Sequence, residues 1–300
     1  MTKKQSRVVF IICVIVLAAS APGQTAGFTA YTNSLSKYLG IDISWLSVAY
    51  CIGTLLSAFC QTKVGAIDKN HKSEHTTVTA GVLLGFALIY MSMIKTITSG
   101  VTGIIGEDLQ SGVTFVLLTL GFFMLRVFGQ GALMMYSRNI PGQYYEKTYS
   151  VAAWMSALAI GIIFPLVAQL QKYLISNYEC SNAYLIIGGV MIIGYAPIVT
   201  FLWKSAPEPK LIIGTSSASS STEDAGMSRK EAEKTLVFWM ITANMILIPL
   251  YNTAIGFYLD PIAILKGHPE GTGVDLLLPI GLFSAFVSIV IGHICEKNRP

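Results

Sequence analysis

Residues 112–137 read GVTFVLLTLGFFMLRVFGQGALMMYS, an uninterrupted run that carries a single charge, on Arg126. A helix needs roughly 20 consecutive apolar residues to cross a bilayer core of about 30 Å. The run lacks the alternation of a strand and is far longer than the ~10 residues of a tilted barrel strand. This stretch therefore predicts a membrane-spanning helix with one charge at membrane depth.

The rest of the chain repeats this pattern. Of its 300 residues, 53 % are hydrophobic and 12 % are charged, whereas soluble domains carry roughly 25 % charged residues. Eight apolar blocks of sufficient length occur, at residues 7–33, 43–62, 76–96, 112–137, 148–171, 182–203, 234–259 and 274–294. The sequence thus predicts an all-α, multi-pass integral membrane protein in contact with lipid.

The basic residues predict how the protein is oriented. With a cytoplasmic N-terminus, fifteen Lys and Arg residues fall in inside segments and four in outside loops, and Arg126 is the remaining one. Such an excess is typical of cytoplasmic segments, so the net charge of +4 does not indicate a nucleic-acid partner. The N-terminus also resembles a signal peptide at Ala19-Ser20-Ala21, but Pro22 and the continuing helix favour a retained first span.

A linker rich in Ser, Pro and charge, residues 204–233, divides the blocks into six spans (1–203) and two (234–300). The two sides resemble each other at one constant offset. QTA at 24–26 falls on NTA at 252–254, and DKNH at 68–71 falls on EKNR at 296–299. This repeat predicts two related helical halves, a common plan for transporters, with the second half represented by its first two spans.

Arg126 lies too deep for its side chain to reach the membrane surface. Arg138 follows twelve residues later, about 18 Å along a helix, and a charge at such depth costs at least ~2.5–3.5 kcal/mol. At helical spacing Arg126 shares one face with Thr119, Gln130 and Ser137. We interpret Arg126 and Gln130 as part of a substrate path. The alternative is an Arg that pairs with backbone carbonyls at a helix break and only holds the bundle together.

Polar stripes on two other spans predict the remainder of that path. Span one places Gln24 and Tyr31 on one face, and span seven carries Tyr251 with Asn252 beside it. Small and polar residues also serve as ordinary packing contacts between membrane helices, which is the alternative for each residue taken singly. Taken together, the stripes favour a path through a central cavity.

Two further groups are candidates for moving parts. Gly161 and Pro165 lie four residues apart in span five, which predicts a kinked helix acting as a hinge. Ion pairs that break on opening would form a cytoplasmic gate from Asp68, Lys69, Arg138 and Glu296.

No combination of residues predicts an enzyme, a metal site or a cofactor site. The stretch HKSEH (71–75) matches a zinc-peptidase pattern in its letters, but it lies in a short basic loop without a third ligand. The five Cys residues are dispersed and form no Cys-x-x-Cys pair, so we expect neither a disulfide nor a metal site.

Several stretches carry a family resemblance: APGQTAGF (21–28), RVFGQGAL (126–133), APEP (206–209) and EAEKTLVFW (231–239). Two loops, VGAIDKNHK (64–72) and GHICEKNRP (292–300), are similar to the family's loop signature. On these residues the chain resembles the major facilitator superfamily, in the branch of oxalate/formate antiporter-like and monocarboxylate-transporter-like proteins. The resemblance implies a complete N-terminal six-helix half and the first two helices of the C-terminal half, truncated after the eighth span.

The chain departs from the family pattern in places. Gly65 precedes Asp68 by three residues instead of four, and span eight lacks the basic residues that bind dicarboxylate in the oxalate antiporter. The resemblance implies secondary active transport of a small solute, an organic anion such as a monocarboxylate, by alternating access with a coupling proton or ion. The alternative function is a truncated, non-transporting membrane protein that scaffolds or regulates a partner.

Overall fold

The structure, a computed structural model, describes residues 3–145, 154–155, 157–208 and 229–297, and every regular element in these ranges is helical. The α-helices are α1 (Lys3–Ala19), α2 (Thr25–Thr29), α3 (Thr32–Leu39), α4 (Ile43–Asn70), α5 (Ser73–Ile105), α6 (Gln110–Leu125), α7 (Met134–Tyr144), α8 (Phe164–Gly189), α9 (Ala196–Lys204), α10 (Arg229–Ala232), α11 (Leu236–Leu265) and α12 (Thr272–Lys297). Short 3-10 turns occur at Ala21–Gly23 and Glu107–Leu109, and π-helical segments at Arg126–Leu133, Ala159–Ile163 and Val190–Tyr195.

The described residues contain seven helical stretches long and apolar enough to cross a membrane, where the sequence predicted eight. The fifth stretch, Ala159–Lys204, has 46 residues and contains the second half of the predicted span 148–171 together with the whole of the predicted span 182–203. Its helix is broken at Glu179, whose φ of 68° and ψ of 163° are not helical. The rings of Tyr144 and Trp203 lie 6.5 Å apart, so the chain returns to the end of the bundle from which it left. The described parts of both predicted spans are helical, with the turn between them at Glu179.

Contacts between distant parts of the chain define two ends of the bundle. At the first, which we call the N-terminal end, the Tyr145 hydroxyl donates to the Ser6 carbonyl at 2.7 Å. At the other, which we call the opposite end, Asn33 Nδ2 donates to Asp260 Oδ2 at 2.8 Å. The cytoplasmic location of the N-terminus stays a prediction.

The helices cross closely at glycines, as is usual between membrane helices. Gly23, in the turn after α1, meets Gly129 in the π-helical segment of span four, and a Cβ added at Gly129 would lie 2.6 Å from the Gly23 Cα. The packing around Gly27 is equally close, because a Cβ added there would meet the Ala21 carbonyl and lie 3.1 Å from Gln171 Oε1. These contacts hold spans one, four and five together around the middle of the bundle.

Replacing Gly129 by Ala is expected to destabilise the protein by about 1–3 kcal/mol, because the added methyl group overpacks the crossing with Gly23. Gly189→Ala is the matched control, since a Cβ at this helical position meets nothing within 4 Å. Removing a helix-interior glycine there should leave stability unchanged or raise it by up to about 1 kcal/mol. Melting temperatures of the two purified variants in detergent check this, and equal values would contradict the close crossing.

Candidate functional site

Arg126 is buried where α6 passes into the π-helical segment, with 5 % of its surface exposed. Its Nη1 lies 3.4 Å from Thr25 Oγ1, and its guanidinium carbon lies 5.2 Å from the centre of the Tyr50 ring. The Thr25 and Tyr50 hydroxyls are themselves 3.0 Å apart. Arg126, Thr25 and Tyr50, from spans four, one and two, therefore form one group, which we call the Arg126 cluster.

This guanidinium has no counter-charge in the part of the chain that the structure describes. The ion pairs found there join Lys37 to Glu270 and Lys172 to Asp275. A guanidinium has five N–H donors, and here one of them meets a hydroxyl at a long distance. Buried charges are normally paired, so Arg126 is unusual among the buried side chains of the described residues.

The four polar residues predicted to share one face of span four differ in whether their side chains have hydrogen-bond partners. Thr119 Oγ1 donates to the Phe115 carbonyl and Ser137 Oγ to the Met134 carbonyl, both at 2.8 Å. These two hydroxyls are satisfied by their own helix. The side-chain oxygen of Gln130, by contrast, is buried without a partner, so Gln130 keeps unused hydrogen-bonding capacity, as Arg126 does. Single π-helical turns often occur at functional sites.

Gln24 lies beside the same segment of span four. It is 7 % exposed, and its Nε2 lies 3.3 Å from Ser20 Oγ and 3.2 Å from Met134 Sδ. The chain breaks before it, at the 3-10 turn that contains Pro22, and Gln24 itself is extended, with φ −88° and ψ 157°. Because Pro22 ends the regular helix, the backbone turns Gln24 toward Met134. The structure thus brings the predicted residues Gln24, Gln130 and Arg126 to one interface of spans one and four.

Tyr31 lies in a different environment, among residues of spans five and six. It is 1 % exposed, and its ring stacks on that of Tyr184 with 4.0 Å between centres. The hydroxyls of both rings and the side-chain amide of Gln171 are buried without hydrogen-bond partners among the described residues. Tyr31 therefore packs against span six, and its role on a substrate path stays a prediction.

Replacing Tyr184 by Phe is expected to raise the melting temperature, because a buried hydroxyl without a partner costs about 1–3 kcal/mol. Tyr195→Phe is the control, since its hydroxyl donates to the Thr77 carbonyl at 3.0 Å and its loss should cost about 1 kcal/mol. A Tyr184→Phe protein that melts lower than the parent would show that the hydroxyl is satisfied after all.

The two predicted path residues of span seven are exposed. Tyr251 has 66 % of its surface exposed, Asn252 is exposed as well, and no residue of Leu236–Leu250 is buried. The second half of α11 behaves differently, with Phe257 and Asp260 buried. No hydrogen bond or ring contact in the described ranges joins Tyr251 or Asn252 to Arg126, and their role also stays a prediction.

Asp260 is a buried carboxylate that the sequence analysis did not select as a site residue. It is 4 % exposed. Its carboxylate accepts hydrogen bonds from Asn33 Nδ2 at 2.8 Å and from the backbone N–H groups of Gly271 and Gly273 at 2.9 Å each. Gly271 has a φ of +89°, a conformation that glycine adopts easily. The turn between α11 and α12 thereby wraps around the carboxylate.

Two ion pairs lie near Asp260 in the contact between the first six spans and the last two. Lys37 Nζ lies 2.7 Å from Glu270 Oε2, and Lys172 Nζ lies 2.7 Å from Asp275 Oδ1. Together with Asn33–Asp260 they form what we call the opposite-end latch. Further hydrogen bonds among the described residues also join the two groups of spans. On the side of the first six spans the bonded residues lie within 29–47 or 169–172, and on the side of the last two spans they lie within 256–275.

The predicted cytoplasmic gate shows no ion pair in the ranges that the structure describes. Asp68 accepts a hydrogen bond from Asn139 Nδ2 at 2.7 Å, and its other carboxylate oxygen is buried without a partner. Lys69 and Arg138 are exposed. Glu296 belongs to α12, and its side chain lies outside the described part. Ion pairs between the two groups of spans are therefore found at the opposite end, while the gate at the N-terminal end stays a prediction.

The predicted hinge lies where span five crosses α12. Gly161 belongs to the π-helical segment Ala159–Ile163, and a Cβ added to it would lie 2.6 Å from the Ala285 Cβ. A Cβ added at Gly281 would lie 3.1 Å from Pro165 Cγ. Because both helices have small residues at the crossing, their backbones approach closely. Gly161 and Gly281 thus allow the two helices to pack closely. A rotation of span five about this crossing stays a prediction.

The described residues contain no group of three or more His, Cys, Asp or Glu side chains placed to hold a metal ion. In comparisons with known proteins, no family model matches this chain, and neither a curated protein nor a solved structure does. The resemblance to the major facilitator superfamily therefore remains an expectation from the sequence.

Proposed function

We propose that this chain is a secondary active transporter of a small organic anion, which binds to Arg126 and crosses the membrane by alternating access. One observation carries the proposal. A permanently charged guanidinium is buried in the middle of an apolar bundle, where it contacts a hydroxyl and an aromatic ring and forms no ion pair among the described residues. A carboxylate matches the planar fork of a guanidinium with two parallel hydrogen bonds, which the Arg126 cluster does not supply.

The rings beside Arg126 favour a monocarboxylate with a small apolar body. Phe28, Tyr50, Phe122 and Phe257 pack together with ring centres 4.9 to 5.3 Å apart. Tyr50 belongs both to this group and to the Arg126 cluster. A dicarboxylate would need a second cation at the same depth, and span four supplies none besides Arg126. One cation next to an aromatic surface suits one carboxylate joined to a few carbons.

The pattern of contacts is consistent with one state of an alternating-access cycle. The opposite-end latch joins the two groups of spans by hydrogen bonds and ion pairs. Toward the N-terminal end, the first half of α11, Leu236–Leu250, has no buried residue. We infer a state that is closed at the opposite end and open at the N-terminal end, with the Arg126 cluster between the two.

Uptake into liposomes tests the function directly. The purified chain is reconstituted and offered radiolabelled formate, acetate, lactate, pyruvate and oxalate, with and without a pH gradient or a trapped counter-anion. We expect saturable uptake of at least one monocarboxylate, driven by one of these gradients, and weaker uptake of oxalate. Uptake no faster than in empty liposomes for every anion would overturn the proposal.

The alternative function, a non-transporting protein that scaffolds or regulates a partner, is favoured by one feature. Most of the large side chains along Leu236–Leu250 are exposed by more than half, for example Leu236 by 74 % and Met245 by 71 %. Large contiguous apolar surfaces are typical of interaction sites and of lipid-facing surfaces. Transport by the reconstituted chain alone would argue against this alternative, since a scaffold moves no solute.

A further inference from the structure

A layer of aromatic rings lies between the Arg126 cluster and the opposite-end latch. This aromatic layer consists of four buried side chains, Phe28, Tyr50, Phe122 and Phe257. In span one, Phe28 follows Thr25 by three residues, and in span four, which runs the other way, Phe122 precedes Arg126 by four. Both rings therefore lie about one helical turn nearer to the opposite end than the cluster residue of the same span.

Phe257 is the ring that the last two spans contribute to this layer. It is 3 % exposed, and its centre lies 5.3 Å from that of Phe28 and 5.3 Å from that of Tyr50. A close approach of two helices places it there, since a Cβ added at the neighbouring Gly256 would lie 3.1 Å from Thr25 Cγ2. The layer is therefore complete only while the two groups of spans are in contact.

We infer that Phe257 is the gate between the Arg126 cluster and the opposite end, closed while its ring packs on Phe28 and Tyr50 and open when that ring withdraws. The inference rests on the proposed function and adds a gating residue to it. Phe257 lies three residues before Asp260 on α11, about one helical turn, so a parting of the opposite-end latch moves both. Apolar rings are a barrier to an anion, because they cannot replace the hydration that it loses.

Access to the cluster from the opposite end can be measured without knowing the substrate. Thr25→Cys is introduced into a chain whose five native cysteines are replaced by alanine, and the protein is placed in sealed vesicles with the N-terminal end inside. A membrane-impermeant sulfonate methanethiosulfonate reagent added outside then reaches the thiol only through the aromatic layer. We expect Phe257→Ala to raise the modification rate about tenfold or more, because truncating a buried phenylalanine removes packing that favours the closed state. Phe257→Leu keeps most of the side-chain volume and should raise the rate less.

Two controls separate a gate from a general loosening of the bundle. Phe283→Ala should leave the rate unchanged, since Phe283 belongs to the same two spans but is 71 % exposed. Ala183→Cys, at a buried position of span six, should stay unreactive in both Phe257 variants. A rate that Phe257→Ala leaves unchanged, or an equal rise with Phe283→Ala or for Ala183→Cys, overturns the inference. If Phe257→Ala does not fold, Phe257→Leu decides by the same criteria.

Transport separates this inference from the proposed function. In liposomes, Phe257→Ala is expected to lose accumulation of the monocarboxylate against its gradient while downhill exchange remains, because a layer that no longer closes cannot confine the anion to one side at a time. Accumulation equal to that of the parent overturns the inference alone. Absence of uptake by the parent overturns the proposed function, and the modification rate still decides whether Phe257 closes off the Arg126 cluster.

Discussion

Replacing Arg126 by Ala is expected to lower kcat/KM for carboxylate uptake by about 100-fold, since removing one partner of a buried charge pair costs roughly 2–5 kcal/mol. The same variant should be more stable than the parent in the absence of substrate. Its guanidinium is 5 % exposed and meets no carboxylate among the described residues, so the folded protein bears an uncompensated desolvation cost. Uptake in liposomes and melting temperature in detergent measure the two effects.

The combination of lost transport and gained stability separates a binding role from a structural one. Arg126→Lys should retain part of the activity, because it keeps the charge but loses the bidentate fork. Lys95→Ala is the matched control, since Lys95 also lies over a tyrosine ring, with Nζ 4.7 Å from the centre of Tyr38. It should leave uptake unchanged. If Arg126→Ala instead lowers the melting temperature, Arg126 holds the bundle together, which is the alternative that the sequence left open.

Replacing Asp260 by Ala is expected to destabilise the protein by about 3 kcal/mol or more. The change leaves Asn33 Nδ2 and the N–H groups of Gly271 and Gly273 without their acceptor, and each hydrogen bond to a charged group contributes about 1.5–3 kcal/mol. The proposed closed state at the opposite end should weaken in parallel, so that a thiol introduced by Ser34→Cys, in the pocket that Asp260 also lines, reacts faster with a membrane-impermeant reagent. Thermal unfolding and the modification rate are the two measurements.

Asp275→Ala is the matched control for this prediction. Asp275 also bridges the two groups of spans, through Lys172, but more than half of its side chain is exposed. An exposed ion pair contributes about 0–1 kcal/mol, so the loss should be small and should decrease with added salt. Equal destabilisation by the two substitutions would contradict the assignment of Asp260 as the buried centre of the opposite-end latch.

Much of the fold could be predicted from the sequence, because a membrane helix is specified locally by the length of its apolar run. The described parts of all eight predicted blocks are largely helical, including the two that the structure joins into one stretch at Glu179. The depth of Arg126 followed from counting residues to Arg138. The π-helical segment Arg126–Leu133 did not follow, since it lies where spans one and four cross at Gly23 and Gly129, a contact between residues that are distant in the sequence.

The candidate site was only partly predictable. Arg126, Gln130 and Gln24 could be selected from the sequence, because a polar or charged residue within an apolar span can be recognised without knowing how that span packs. Spacing could not show that Gln24 meets Met134, because Gln24 lies after a break at Pro22 where helical phase is lost. Nor could it distinguish Tyr31, which stacks on Tyr184, from a residue that faces a cavity.

By itself, the sequence determined that this chain forms a set of membrane-length helices with one charged residue in the middle of span four, because hydropathy and helical rise act over a single span. Only the tertiary structure decided which groups surround that charge and which carboxylate is enclosed at the opposite end. Thr25 and Tyr50 reach Arg126 from other spans, and Asp260 is enclosed by a turn eleven to thirteen residues away along the chain and by Asn33. Neither arrangement could be predicted from neighbouring residues in the sequence, because hydrogen bonds between spans depend on how the helices are placed relative to one another.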